Sequence, residues 1–198
     1  MPFIKLYKRR QLTIFTETNI MFGLFKKKEP VAPVNDVVFM NTEAKHRHLL
    51  SLASLNAEQV FVCWFEQTAE TLQQFFEANG LSRFTIILPR ELAAHRNVQP
   101  VFCEHHPSFK IEQQRFLQLG LSQVTVVSSL DEGLMKKFGG ERIAVMMKNL
   151  GMKEDEPVSH KMITRSIQNA QKKIDKTFNG TDLHVRSQEE WLKRAGGY

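Results

Sequence analysis

Cysteine is scarce: Cys63 and Cys103 are the only two. Two thiols cannot form the disulfide framework of a small secreted scaffold. Both stand in apolar runs, and the reading is of reduced, buried thiols in a cytoplasmic protein. No stretch approaches the ~18 apolar residues of a transmembrane helix. No G-x-x-x-x-G-K-[ST] occurs, so the glycine-backed amide cradle that grips a triphosphate is missing. There is no G-x-S-x-G nucleophile elbow and no zinc-finger spacing. Aromatic and basic residues do not interleave as in an RNA-binding sheet, and no specific nucleic-acid partner is expected.

What is present is ordinary for a globular chain of 198 residues. Hydrophobic residues make up 42% and charged residues 24%, with a net charge of +6. That length supports one domain with a proper core. The positive balance favours acidic partners only weakly.

Apolar, β-branched runs at 60–65, 84–88 and 124–128 read as buried parallel strands, and 98–104 as a fourth weakened by Pro100. Helices at 42–53, 67–79 and 108–119 alternate with them. Strand–helix alternation gives βαβ units. The expected fold is therefore α/β: a three-layer, mainly parallel sheet of about four strands, P-loop-NTPase-like or Rossmann-like, with a C-terminal helical extension. The organisation expected is an N-terminal tail and linker (1–36), an α/β domain (37–140) and a helical extension with a tail (141–198). The first twenty residues lack an apolar core and a cleavage site, unlike a signal peptide. We expect the biological start at Met21. Phe22 and Phe25 beside Lys26, Lys27 and Lys28 suit weak contact with an anionic membrane, and the plainer reading is a frayed, solubilising tail. His46-Arg47-His48 reads as a solvated helical face.

Residues 129–174 are the most informative stretch. Ser129 and Glu132 have the spacing of a capping box. Gly139-Gly140 ends one helix. The next carries Ile143, Met146, Met147 and Leu150 on one stripe, and Gly151-Met152 closes it as a Schellman cap. A third helix repeats Ile163, Ile167, Ala170 and Ile174, a seam made to lie against another element. Its other side is basic: Lys161, Arg165, Lys172 and Lys173. Ser187 and Glu190 form a second capping box before Trp191, whose ring should dock on the body.

This stretch resembles the SecA family, the preprotein translocase motor ATPases, where the second nucleotide-binding domain meets the long scaffold helix. The residues that carry the resemblance are Ser129-Leu130-Asp131, Leu134-Met135, 138–143, Met146-Met147, Leu150-Gly151-Met152, 160–167 and 169–173. It implies a role in protein export. The family's arginine-bearing motif would stand at 121–128, which reads LSQVTVVS without arginine. We therefore expect no ATPase and no cofactor. The expected function is a non-catalytic protein–protein module of protein export, cytoplasmic or peripheral at the inner face of the membrane, binding the machinery or its clients. Its interaction residues would be Lys161, Arg165, Lys172 and Lys173. One alternative is a ligand- or metal-binding domain using Glu104, His105 and His106 at a strand end, although adjacent residues of an extended chain point to opposite sides. Another is a basic protein at a membrane or on the ribosome.

Overall fold

The computed structural model describes residues 30–95, 98–178 and 180–197. The readings at Met21, Phe22, Phe25, Lys26, Lys27 and Lys28, and the Asn179 half of an expected turn, lie outside these residues.

Five parallel strands form one sheet in the order β1-β5-β4-β2-β3. They are β1 Val34–Phe39, β2 Val60–Val62, β3 Thr85–Ile87, β4 Val101–Phe102 and β5 Val124–Ser129. β1 escapes a sequence reading because Asn35 and Asp36 interrupt its apolar run. Asp36 is nevertheless buried, held by His105. The fold takes in the chain even before β1, since the Ala32 amide donates to Gln113 Oε1 at 2.8 Å. β4 is short and lies between β5 and β2, so its carboxyl end opens at the middle of the sheet.

The helices are α1 Thr42–Leu55, α2 Glu66–Ala78, α3 Phe109–Gln118, α4 Gly133–Lys137, α5 Gly140–Asn149, α6 Lys161–Thr177 and α7 Gln188–Leu192. α1 and α2 cover one face of the sheet, where Leu49, Ala53, Leu72 and Phe76 meet Phe61, Cys63 and Val127. The other face packs Val60, Val62, Phe102 and Val126 against Phe116 of α3. A third cluster joins Val38 and Met40 to Leu134, Met147, Ile167, Ile174 and Trp191. The C-terminal helices thus share a core with the sheet, and one antiparallel bridge, Val38 to Val158, ties the loop before α6 to β1.

Capping signals are read with mixed success. Gly151 (φ 83°) closes α5 with Met152 N to Met147 O and Gly151 N to Lys148 O, both bonds of a Schellman motif. Ser187 Oγ accepts from Glu190 N as expected. Ser129, however, ends β5 rather than opening a helix. Only the reverse half of its box forms, with Glu132 Oε1 accepting from the Ser129 amide at 3.0 Å, and α4 starts four residues later at Gly133. Gly140 is required for space, since a Cβ there would lie 2.1 Å from the Leu130 carbonyl oxygen.

Candidate functional site

β4 runs out into Cys103-Glu104-His105-His106, and all four residues are buried. Glu104 accepts from the Phe65 amide (3.1 Å) and the Thr68 hydroxyl (2.8 Å). His105 is clamped between Asp36 Oδ1 (2.8 Å) and Glu112 Oε1 (2.9 Å). His106 Nδ1 accepts from the Ser108 amide (3.0 Å), and its Nε2 meets Asp182 Oδ1 (3.2 Å). Each side chain therefore serves a different neighbour. Among the described residues no group of three His, Cys, Asp or Glu is placed to hold a metal ion. This end of β4 works as a tether for the C-terminal helices. Gln171 of α6 donates to the His106 carbonyl and to Glu112 Oε2, both at 2.8 Å. Gln188 donates to the His105 carbonyl at 2.9 Å and accepts from the Leu134 amide. Asp175 accepts from the Ser108 hydroxyl.

Beside it lies a polar pocket of about 160 Å³ lined by Thr42, Lys45, Thr68, Glu104, Asp131 and Glu132. Lys45 is buried, pairs with Glu132 Oε1 at 2.7 Å and donates to the Cys103 carbonyl at 3.1 Å. Burial opposes its charge, but the Glu132 carboxylate outweighs that and raises its pKa. Burial pushes Glu104 up to about 8 against the pull of Lys45. His105 is raised despite burial, by the charges of Glu112 and Asp36. Asp36 is lowered, the His105 charge overcoming its burial. The expectation of a solvated His46-Arg47-His48 face is corrected at His46. That ring is buried 5.2 Å from Phe75, and burial, reinforced by Lys45, lowers it to about 4.

A second feature is apolar. α4, α5 and α6 enclose a groove of about 350 Å³ whose walls include Met135, Met147, Met152, Met162 and Ile163. The α6 seam packs inward through Ile167, Ala170 and Ile174. The α5 stripe is covered at one residue only. Only Met147 is buried, while Ile143, Met146 and Leu150 are 42%, 55% and 74% exposed, and Met162 of α6 is 69% exposed. Shared periodicity places these residues on one side without deciding whether anything covers it.

The four basic candidates separate into two groups. Lys161 and Arg165 sit one position round the helix from Met162 and Ser166 at the groove, exposed and without an ion-pair partner among the described residues. Lys172 lies over the Phe109 ring (4.2 Å) and Lys173 over Phe138 (5.8 Å). Sequence reasoning missed Lys45, Asp36, Gln171 and Gln188. The available signal was polar residues at inward-facing positions of apolar-patterned elements, which demand partners.

No family model matches the chain. A protein translocase subunit SecA of Acinetobacter baumannii (strain AYE) is 42% identical over 76 residues, which is 36% of this chain and 8% of that protein. The SecA of Psychrobacter sp. (strain PRwf-1) is 37% identical over 89 residues, 43% of this chain and 10% of that protein. SecA 1 of Clostridioides difficile (strain 630) is 27% identical over 173 residues, 84% of this chain and 17% of that protein. The chain carries a SecA-like segment, and it spans less than a fifth of the length of these relatives.

Proposed function

We propose, with the SecA-like segment as premise, that this chain is a non-catalytic protein–protein module of protein translocation. The observation that carries the reading is the uncovered apolar side of α5, where Ile143 lines a methionine-walled groove and Met146 and Leu150 stand exposed on the same side of the helix. Large exposed apolar residues gathered on one face mark an interaction site more than they mark a solvent face. Thioether side chains adjust to different partners. The occupant we infer is an amphipathic segment of a translocation component, apolar on one side and acidic at its flank. Lys161 and Arg165 stand beside the groove to meet that acid, and every exposed charge on α6 is basic.

The absence of ATPase activity is part of the proposal. The first strand feeds its helix through Met40-Asn41, where Asn41 Oδ1 accepts from the Ala44 amide. A glycine-free turn that caps its own helix leaves no ring of amides for phosphates. Among the described residues no helix is long and apolar enough to cross a membrane, and we place the module in the cytoplasm, working at the inner face of the membrane.

The test is photo-crosslinking from Met146 in the presence of purified translocation components. The reading expects an adduct that disappears in Ile143→Glu/Met162→Glu. An adduct indifferent to those changes would remove the groove from the account. The purified chain should release no phosphate from Mg-ATP; steady turnover would end the non-catalytic reading.

A further inference from the structure

The largest cavity among those described, about 530 Å³, lies neither in the groove nor in the Lys45 pocket. It opens outside the carboxyl ends of three strands: Trp64 and Phe65 follow β2, Leu88 to Arg90 follow β3, and His106 follows β4. β2 and β4 are neighbours in the sheet. The helix after β2 packs on one face and the helix after β4 on the other. Adjacent strands whose connections leave in opposite directions open a crevice, and in parallel sheets that crevice is where ligands bind. Residues 182–186 and Arg194 of the C-terminal segment complete its wall.

The chemistry of the lining is arginine. Arg90, Arg115, Arg186 and Arg194 reach the cavity from the β3 loop, α3, the segment before α7 and the chain beyond it. Three carboxylates oppose them, Glu66, Asp182 and Glu190. Asp182 is already taken by His106 Nε2 and by Trp191 Nε1 at 3.1 Å. Glu66 is only a distant partner, 3.7 Å from Arg90 and 3.6 Å from Arg186. Arg186 is held by Glu70 at 2.5 Å and Arg194 by Glu190 at 2.6 Å, contacts that orient two guanidinium groups while leaving other N–H donors unused. Arg115, half-buried, has no ion-pair partner among the described residues. Trp64 adds a buried indole N–H without an acceptor.

We propose that this cavity binds the phosphoryl group of a small phosphate compound. Arginines placed around one cavity by four segments suit an anion with three or four oxygens better than a two-oxygen carboxylate. The volume is that of a small-molecule site. Trp64, Phe65, Leu88 and Pro89 provide an apolar wall for an organic remainder. His106 is not among the donors, because both ring nitrogens are engaged within the protein. This site is independent of the protein-docking groove.

The experiment is calorimetric titration of the whole chain, at constant ionic strength, with inorganic phosphate, adenosine monophosphate and glutamate. Saturable binding of phosphate or of the monophosphate, with glutamate inert, is expected. Tighter binding of the monophosphate identifies an organic phosphate as the ligand, and equal binding identifies the free ion. Arg115→Met should weaken binding at least about tenfold, the loss of one charge-assisted contact, and Trp64→Phe should weaken it while keeping the ring. Should Arg115→Met fold poorly, Arg90→Gln at the exposed rim reads the same loss. Absence of saturable binding of both phosphate and the monophosphate, glutamate binding as tightly as either, or unchanged affinity in the folded arginine variants would overturn the proposal.

Discussion

Replacing Glu104 by Gln should remove a pH dependence that the wild-type fold cannot avoid. The carboxyl group is buried at the end of the central strand, and burial raises it from 4.5 to about 8. Between those values the folded state holds a proton that the unfolded chain has lost, so stability falls as pH rises, by up to ~1.4 kcal/mol per unit for one group. His46 works in the opposite sense. It is lowered from 6.5 to about 4, so the unfolded chain holds its proton in that window and stability rises with pH. The two slopes oppose each other between 4.5 and 6.5, and Glu104 stands clear of His46 only from 6.5 to 8. His105, raised by Glu112 and Asp36, adds a further fall above 6.5 in wild type and variant alike. The difference between the two proteins isolates Glu104.

Gln keeps the shape, accepts from the Phe65 amide and donates to the Thr68 hydroxyl, so the variant should lie within about 1 kcal/mol of wild type at pH 6. By pH 8 it should gain roughly 2 kcal/mol relative to wild type, the slope multiplied by the window. Urea unfolding in steps from pH 6 to 9 measures this. Parallel curves would refute the reasoning, because they would mean that Glu104 is ionised throughout beside Lys45.

Other expectations concern how the helices are held. Gly140→Ala drives a methyl group into the Leu130 carbonyl, 2.1 Å from its ideal position, and should cost about 3 kcal/mol or more by thermal denaturation; a loss under 1 kcal/mol, the ordinary helix-interior gain reduced, would mean α4 and α5 separate easily. Gln171→Leu strips donors from the His106 carbonyl and Glu112. It should cost about 1–3 kcal/mol and raise hydrogen exchange in α6 before exchange in β5; uniform exchange would show that the tether is not local.

Much of the fold is written in the chain's periodicity. The runs around Phe61 and Val126 are continuous because both faces of their strands are covered, and that leaves a strong signal. β1 is an edge strand that exposes Asn35 and buries Asp36, which answers His105. A charge pair needs two partners from distant sequence, and a single window sees one. The α5 stripe is legible as a side, but not what covers it. Ile143, Met146 and Met147 share a side, yet packing against α4 and α6 reaches only Met147. His46 escaped because its aromatic neighbour, Phe75, comes from another helix. His105 and His106 are legible as chemistry at a strand end, but their partners on α3, α6 and α7 follow only from topology. Gln171 and Gln188 look like surface residues until the helices that carry them are placed.

The account depends most on the uncovered side of α5. Fluorescence titration of a label at Leu150 against purified translocation components, comparing the native chain with Ile143→Glu/Met162→Glu, addresses it most directly. Saturable binding to one component, weakened at least about tenfold by the two acidic substitutions and by added salt, is the result expected. Binding that survives the substitutions unchanged, or no binding to any component by a folded chain, would contradict it.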